Sequence, residues 1–361
     1  MYLTTYSPFR PGFTPVGFGA PAAVAPACMD QAIDAQTALL FTDKAPLSGV
    51  PRKAGCDHKA VWAFVPTPRP DLETVHVYLH GNNNTVPVDA RRPGGRPADW
   101  SPGHTPHALR KAGPYASGPK YGMDTSAQAS SRKPIVLVPE DAQAPTHSSK
   151  FWAVGAAGGF QGNPALLGQL IDDCRARLVS IRGASGVLLS RAASVKPLTR
   201  LFLSGHSGGG VPLSHACLSG TALNVPTDLW LYDCTYWPGH VARYVEFLRL
   251  WKDKGRLRNA PDSSRMVIVV GGSDQTQATA AEILRKASSV LGWRKTVLDR
   301  RGFTPALSPS APSQLLEIRS GASTSLVESG LRRFPVVLVF AREGHDYIPL
   351  MWTPRLLATA S

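Results

Sequence analysis

Ser207 lies in Gly205-His206-Ser207-Gly208-Gly209, directly after the apolar run Leu201-Phe-Leu-Ser204. A serine framed by glycines between a strand pattern and a helix pattern reads as a nucleophile elbow. The turn is sharp, and glycine flanks let the chain fold closely enough to lift the hydroxyl clear. A serine hydroxyl is a poor nucleophile near neutral pH, so it needs a base within hydrogen-bond reach and a carboxylate to orient that base. His345, in Arg342-Glu343-Gly344-His345-Asp346, follows the last apolar run, Pro335 to Ala341, and is the candidate base. Asp274, closing Val270-Gly271-Gly272-Ser273-Asp274, is the expected carboxylate; Asp233, in Leu231-Tyr-Asp-Cys-Thr235, also ends an apolar run and is the alternative. Asp346 reads as a solvated or helix-capping carboxylate, and His206 as a support for the elbow.

Charge that develops on a carbonyl oxygen during acyl transfer needs backbone donors aimed at it, and Gly208, next after the serine, supplies one. Phe160, Tyr236 and Trp237 fall in loops near strand ends and are candidate substrate-lining residues, with Trp152 beside them. Other patterns carry less chemistry. His104-Thr-Pro-His107 has metal-like spacing without a third ligand nearby. Gly155-Ala-Ala-Gly-Gly-Phe-Gln-Gly162 lacks the Lys-Ser/Thr ending of a phosphate loop and reads as a mobile loop by the pocket.

The elements that must position these residues are legible as alternating patterns. Runs rich in β-branched and aromatic residues, Val61 to Val65, Val75 to Leu79, Ile135 to Val138, Thr199 to Ser204, Leu229 to Tyr232, Met266 to Val270 and Val336 to Phe340, predict strands. Helical patterns fall between them: one after Asn163-Pro164, then Val211 to Ala222, Val241 to Trp251, Thr276 to Leu291 and Tyr347 to Leu357. That alternation predicts an α/β fold with a mainly parallel sheet and helices on both faces. In such a sheet the loops after successive strands open on one edge, where Ser207, Asp233, Asp274 and His345 would all lie. The Gly-, Pro- and Arg-rich stretch from Asp89 to Arg132 is too long for an ordinary connection and reads as an insertion over the sheet. Residues 1–55 read as an N-terminal arm and 56–361 as one catalytic domain.

On these residues the chain resembles the α/β-hydrolase superfamily, whose chain order is serine, acid, histidine. The resemblance runs from about Val61 onward. It implies Ser207 as nucleophile, His345 as general base and then acid, and Asp274 as the carboxylate that fixes the imidazole; some members place the acid where Asp233 stands. Val75-His-Val-Tyr-Leu-His80-Gly81-Asn82-Asn83-Asn84 resembles the family's His-Gly oxyanion loop, which implies Asn82 as the second backbone donor; the three successive asparagines depart from the small or aromatic residues common there, so a side-chain amide is expected to join the site, with Asn83 as a substrate-binding candidate. The implied activity is hydrolysis of a carboxylic ester through an acyl-enzyme, with an amidase or peptidase, an acyltransferase, and a non-catalytic binding module as the rival readings. Fold alone does not choose among them.

Composition sets the outer bounds. The chain has 361 residues, 43% of them hydrophobic, enough for a large buried core. Its five cysteines form no C-x-x-C pair, which excludes a zinc ribbon; a Cys28–Cys56 bridge stays open for an exported protein. Nothing in the sequence calls for a cofactor or a metal. No apolar run approaches the ~18 residues of a membrane helix, and the prolines before Cys28 would break a signal-peptide core. A soluble protein is expected, cytoplasmic in preference to secreted. The formal net charge is +14, without any nucleic-acid-binding motif, so no nucleic-acid partner is expected; the positive field either steers an anionic ester substrate, small or polymeric, or is a solvated surface that serves solubility.

Overall fold

The computed structural model describes residues 30–32, 35–42, 59–67, 72–79, 122–139, 160, 163–182, 194–257, 263–304 and 313–360. Among the described residues twelve strands form one sheet. In chain order they are β1 (Gln31–Ala32), β2 (Thr37–Thr42), β3 (Lys59–Phe64), β4 (Thr74–Leu79), β5 (Ile135–Pro139), β6 (Arg200–His206), β7 (Thr227–Tyr232), β8 (Arg265–Val270), β9 (Arg294–Asp299), β10 (Gly302–Thr304), β11 (Ser313–Ile318) and β12 (Val336–Phe340). Across the sheet the order is β1-β2-β3-β5-β4-β6-β7-β8-β12-β11-β9-β10. The run from β5 to β9 is parallel throughout, while β1 to β3 and β10 close its two ends in antiparallel pairs.

The strand sequences explain the burial. Side chains alternate across a strand, and both alternating sets are apolar here. Leu201, Leu203, Leu229, Leu231, Met266 and Ile268 point into one core, whereas Phe202, Trp230, Tyr232, Val267 and Val269 point into the other. Strands covered on both faces in this way are the signature of a parallel sheet between two helical layers. The first core is closed by α2 (Leu166–Ser180), α3 (Gly210–Ala216), α4 (Gly220–Asn224), α5 (Val241–Asp253) and α6 (Asp274–Leu291). The second is closed by α1 (Met123–Ala129), α7 (Thr324–Arg333) and α8 (Ile348–Thr359).

Three expectations change. The segment read as an arm contributes β1 and β2 to the sheet, because Thr37-Ala-Leu-Leu-Phe-Thr42 pairs residue for residue with β3 and buries Leu39 and Leu40 on opposite faces. The single helix expected from Val211 to Ala222 is two, since Ser219 caps a new start, its hydroxyl accepting from the Ala222 N–H at 3.1 Å. After α6, which ends on left-handed Gly292, the chain adds β9, β10 and β11 beyond β12. Most of the insertion expected over 89–132 lies outside the described residues, and its last turn is α1. Cys28 and Cys56 also lie outside them, while Cys174, Cys217 and Cys234 are free and buried.

At the amino ends of the central strands sits a buried ion cluster. Asp228, on β7, is fully buried between Arg200 of β6 and Arg265 of β8, with Arg265 Nε donating to Asp228 Oδ2 at 2.8 Å. Arg265 also donates to the carbonyls of Leu331, Leu356 and Thr359, tying the sheet to α7 and α8. In the middle of the sheet, His76 Nε2 and Ser204 Oγ lie 2.7 Å apart. Burial pushes the His76 imidazole down to about 3, so it stays neutral.

Candidate active site

β6, β7 and β12 deliver Ser207, Asp233 and His345 to the carboxyl edge of the sheet. Ser207 and Asp233 both hold left-handed backbone, φ 53° and 42°, at the ends of adjacent strands. Such conformations cost ~1–3 kcal/mol each in a non-glycine residue and persist only where surrounding contacts impose them. Those contacts are visible. A Cβ on Gly205 would come within 2.9 Å of the Gly209 carbonyl oxygen, and one on Gly210 within 2.0 Å of the Cys234 carbonyl oxygen. The serine turn is thus drawn tight on itself and pressed against the chain just after Asp233.

Asp233 is buried and held on both oxygens. Its Oδ2 lies 2.7 Å from His345 Nδ1. Its Oδ1 accepts from Thr276 Oγ1 at 2.6 Å and from the Gly271 N–H at 3.2 Å. Burial alone would raise this carboxyl, yet the hydrogen bonds from His345, Thr276 and Gly271 and the histidine's charge outweigh it and hold the group below the ordinary aspartate range. An ionised Asp233 fixes the His345 tautomer, because a carboxylate only accepts and Nδ1 must therefore carry the proton. The Tyr236 hydroxyl lies 3.3 Å from the same Nδ1, a longer contact that the Asp233 bond dominates. Nε2 of His345 and the Ser207 hydroxyl make no hydrogen bond among the described residues. Contacts of this kind are commonly long before substrate binds.

His206, the residue before the serine, is almost fully buried and braces the histidine. Its Nε2 lies 3.1 Å from the His345 carbonyl oxygen, and the two rings are 4.4 Å apart. The serine turn and the histidine turn are therefore in direct contact. Gly271 closes the third side: a Cβ there would stand 3.0 Å from the Glu343 carbonyl oxygen and 3.6 Å from Asp233 Oδ2.

The carboxylate that meets His345 is that of Asp233, and not that of Asp274, the expected one. Asp274 opens α6 as an exposed first-turn residue, where it favours the positive end of the helix dipole. Its loop contributes the groups that hold the acid, Gly271 and Thr276, instead of the acid. The expected lining residues also separate. Tyr236 is half-buried beside His345, and half-buried Trp237 meets Tyr236 edge to face, ring centroids 5.7 Å apart, whereas Phe160 is 1% exposed and packs in the core. Gly208 follows Ser207 in a 3-10 turn, where the first backbone N–H groups have no acceptor within the turn. Asn82, Asn83, Trp152, His104 and His107 lie outside the described residues. Among the described residues no three metal-ligating side chains converge, and no helix is long and apolar enough to cross a membrane. Gly271, Thr276 and the contact of His206 with the histidine turn have no distinct sequence signal, since each acts through spatial neighbours far away in the chain.

No protein-family model matches the chain, and no curated protein matches it in sequence. Among solved structures it is similar to a mutant feruloyl esterase module of Clostridium thermocellum complexed with sinapinate, with a TM-score of 0.45 and 8% identity over 96% of this chain and 95% of that one. It is similar also to carboxyl esterase 2 of the mycorrhizal fungus Tuber melanosporum, with a TM-score of 0.38 and 13% identity over 99% and 96% of the two chains. A third is brefeldin A esterase, a bacterial homologue of human hormone-sensitive lipase, with a TM-score of 0.39 and 11% identity over 99% and 83%.

Proposed function

We propose that this chain is a serine hydrolase of the α/β-hydrolase type, cleaving carboxylic esters through an acyl-enzyme with Ser207, His345 and Asp233 in the three roles. The observation that carries the reading is the 2.7 Å contact between a buried, doubly held Asp233 and His345 Nδ1, beside a serine in strained backbone at a strand end. In this mechanism Ser207 Oγ attacks the ester carbonyl carbon while His345 Nε2 takes its proton. Asp233 stabilises the resulting imidazolium and stays ionised. The Gly208 N–H, with the N–H of Asn82 as second donor, holds the tetrahedral oxyanion. As the C–O bond breaks, His345 returns the proton to the departing alcohol. A water then repeats the sequence on the acyl-enzyme, releasing the acid and restoring Ser207.

The test pairs labelling with turnover. The wild-type protein should gain the mass of one phosphonyl group from a fluorophosphonate probe and hydrolyse p-nitrophenyl esters, and the Ser207→Ala protein should do neither while keeping its thermal transition. Labelling that survives in Ser207→Ala, or a wild type inert to both probe and esters, refutes the proposal.

A further inference from the structure

Leading away from His345 along the sheet edge is a line of rings. Tyr236 lies 6.2 Å from His345, Trp237 5.7 Å from Tyr236, and His240 5.4 Å from Trp237, centroid to centroid. The line ends in a cluster of basic side chains. His215, on α3, is 8% exposed and its ring lies 6.4 Å from that of His240. Arg243, on the first turn of α5, is half-buried and its Nη1 reaches Ser214 Oγ at 3.5 Å. Among the described residues Arg243 pairs with no carboxylate. Its more deeply set counterparts do: Arg175 with Asp172, and Arg200 and Arg265 with Asp228. Glu246, the acid nearest Arg243 along α5, is taken by Arg249.

One of the two histidines carries an orphaned atom: among the described residues the Nδ1 of His240 is buried without a hydrogen-bond partner. Both rings are pushed down to about 4, by burial first and then by the charge of Arg243, so each is neutral near pH 7 and keeps one N–H to give. One half-buried guanidinium without an opposing acid among the described residues, set beside two neutral imidazoles from α3 and from the 3-10 turn that leads into α5, is costly in isolation and fits an incoming anion.

We propose that His215, His240 and Arg243 form a carboxylate subsite of the active site reached through Tyr236 and Trp237, so that the preferred ester carries a free carboxylate remote from the scissile carbonyl. A planar carboxylate matches the guanidinium fork of Arg243. His240 turns its N–H to the anion, and Tyr236 and Trp237 flank the apolar chain between the two ends. The proposal rests on the hydrolase reading, and its test separates the two.

The substrates are p-nitrophenyl monoesters of C6 to C10 dicarboxylic acids, each against its methyl-capped counterpart of equal length. Wild type should favour the free acid by roughly ten-fold or more in kcat/KM at one chain length or more, through KM, as expected for a charge-assisted contact. In Arg243→Gln and in His240→Gln that ratio should fall toward one, and Arg243→Lys should keep part of it. A thermal melt of each variant accompanies the kinetics. Independently, calorimetric titration of suberate into the Ser207→Ala protein should give saturable heat that is lost on adding Arg243→Gln. Suberate binding without turnover of any ester would refute the hydrolase reading, and with it the ester preference, while leaving the carboxylate-binding cluster standing. Turnover without discrimination at any length, together with no suberate heat, overturns the subsite alone. Discrimination that survives both Gln variants, or inorganic phosphate that binds more tightly than suberate, also overturns it.

Discussion

Replacing Asp233 by Asn exchanges one oxygen for an NH2 group and leaves the shape unchanged, so the hydrogen-bond partners around the side chain decide the outcome. The Gly271 N–H can only donate, and it points at Oδ1 from 3.2 Å. The amide oxygen must therefore occupy that position, which also lets Thr276 keep its 2.6 Å bond. That leaves the NH2 facing His345 Nδ1 at 2.7 Å, donating to it. Nδ1 becomes the acceptor, the ring proton moves to Nε2, and the nitrogen that should receive the Ser207 proton already carries one. A wrong tautomer of this kind lowers kcat by ~10⁴, equivalent to about 5.5 kcal/mol at about 1.4 kcal/mol per decade. Asp274→Asn loses only a favourable charge at the end of α6, ~0.3–1 kcal/mol of stability, and should stay within about two-fold of wild type. The assay is p-nitrophenyl ester hydrolysis at pH 7.5 alongside a thermal melt of each variant. An Asp233→Asn enzyme that keeps more than a tenth of wild-type kcat, or an Asp274→Asn enzyme that loses 100-fold or more, refutes the reasoning.

Gly210→Ala should cost ~1–3 kcal/mol or more, because its Cβ would meet a backbone carbonyl 2.0 Å away and not a yielding side chain; chemical denaturation measures it. Asp228→Ala should cost ~3–5 kcal/mol by leaving two buried guanidinium groups without their partner, with kcat per folded molecule unchanged, since the cluster lies at the opposite edge of the sheet. Acid should weaken the fold well above the carboxylate range. A histidine depressed in the folded state is neutral there and takes up its proton only on unfolding, so its contribution is complete above about pH 6.5 and falls as pH drops toward the folded value. For His76 that value is about 3, and His76→Gln should flatten the pH dependence of the denaturation midpoint between about pH 6.5 and 4 relative to wild type.

The central parallel strands, β4 to β8 and β12, are legible in the sequence because each is a short run of apolar, largely β-branched or aromatic residues, buried on both sides and bounded by glycine, proline or polar residues. Ser207 and His345 are legible for the same reason, as polar residues placed just where such runs stop. The acid is not. Asp233 and Asp274 each follow a strand, and the difference between them is three-dimensional. At Asp233 the chain turns through left-handed backbone and keeps the side chain over the sheet edge. At Asp274 it enters a helix directly and turns the side chain to solvent. β9 to β11 escape a sequence reading because Arg294-Lys-Thr-Val-Leu-Asp299 mixes charged and apolar residues, as befits strands near the end of a sheet. Phe160 reads as lining because its glycine-rich neighbours look like a loop, yet an aromatic ring gains more from complete burial.

Those added strands place β12 between β8 and β11, with a parallel partner on either side. A strand at a sheet edge can fray by itself, opening locally while the rest stays folded; an interior strand opens only when its neighbours do. His345, the proposed general base, therefore follows a segment whose amides, Val337 to Val339, should exchange with solvent only through the highest-energy openings of the molecule. The carboxylate it contacts, Asp233, follows β7, which is interior too. The strands that lead to these two residues are thus anchored in the interior of the sheet, and motion at lower energy falls to the turns and loops beyond their carboxyl ends.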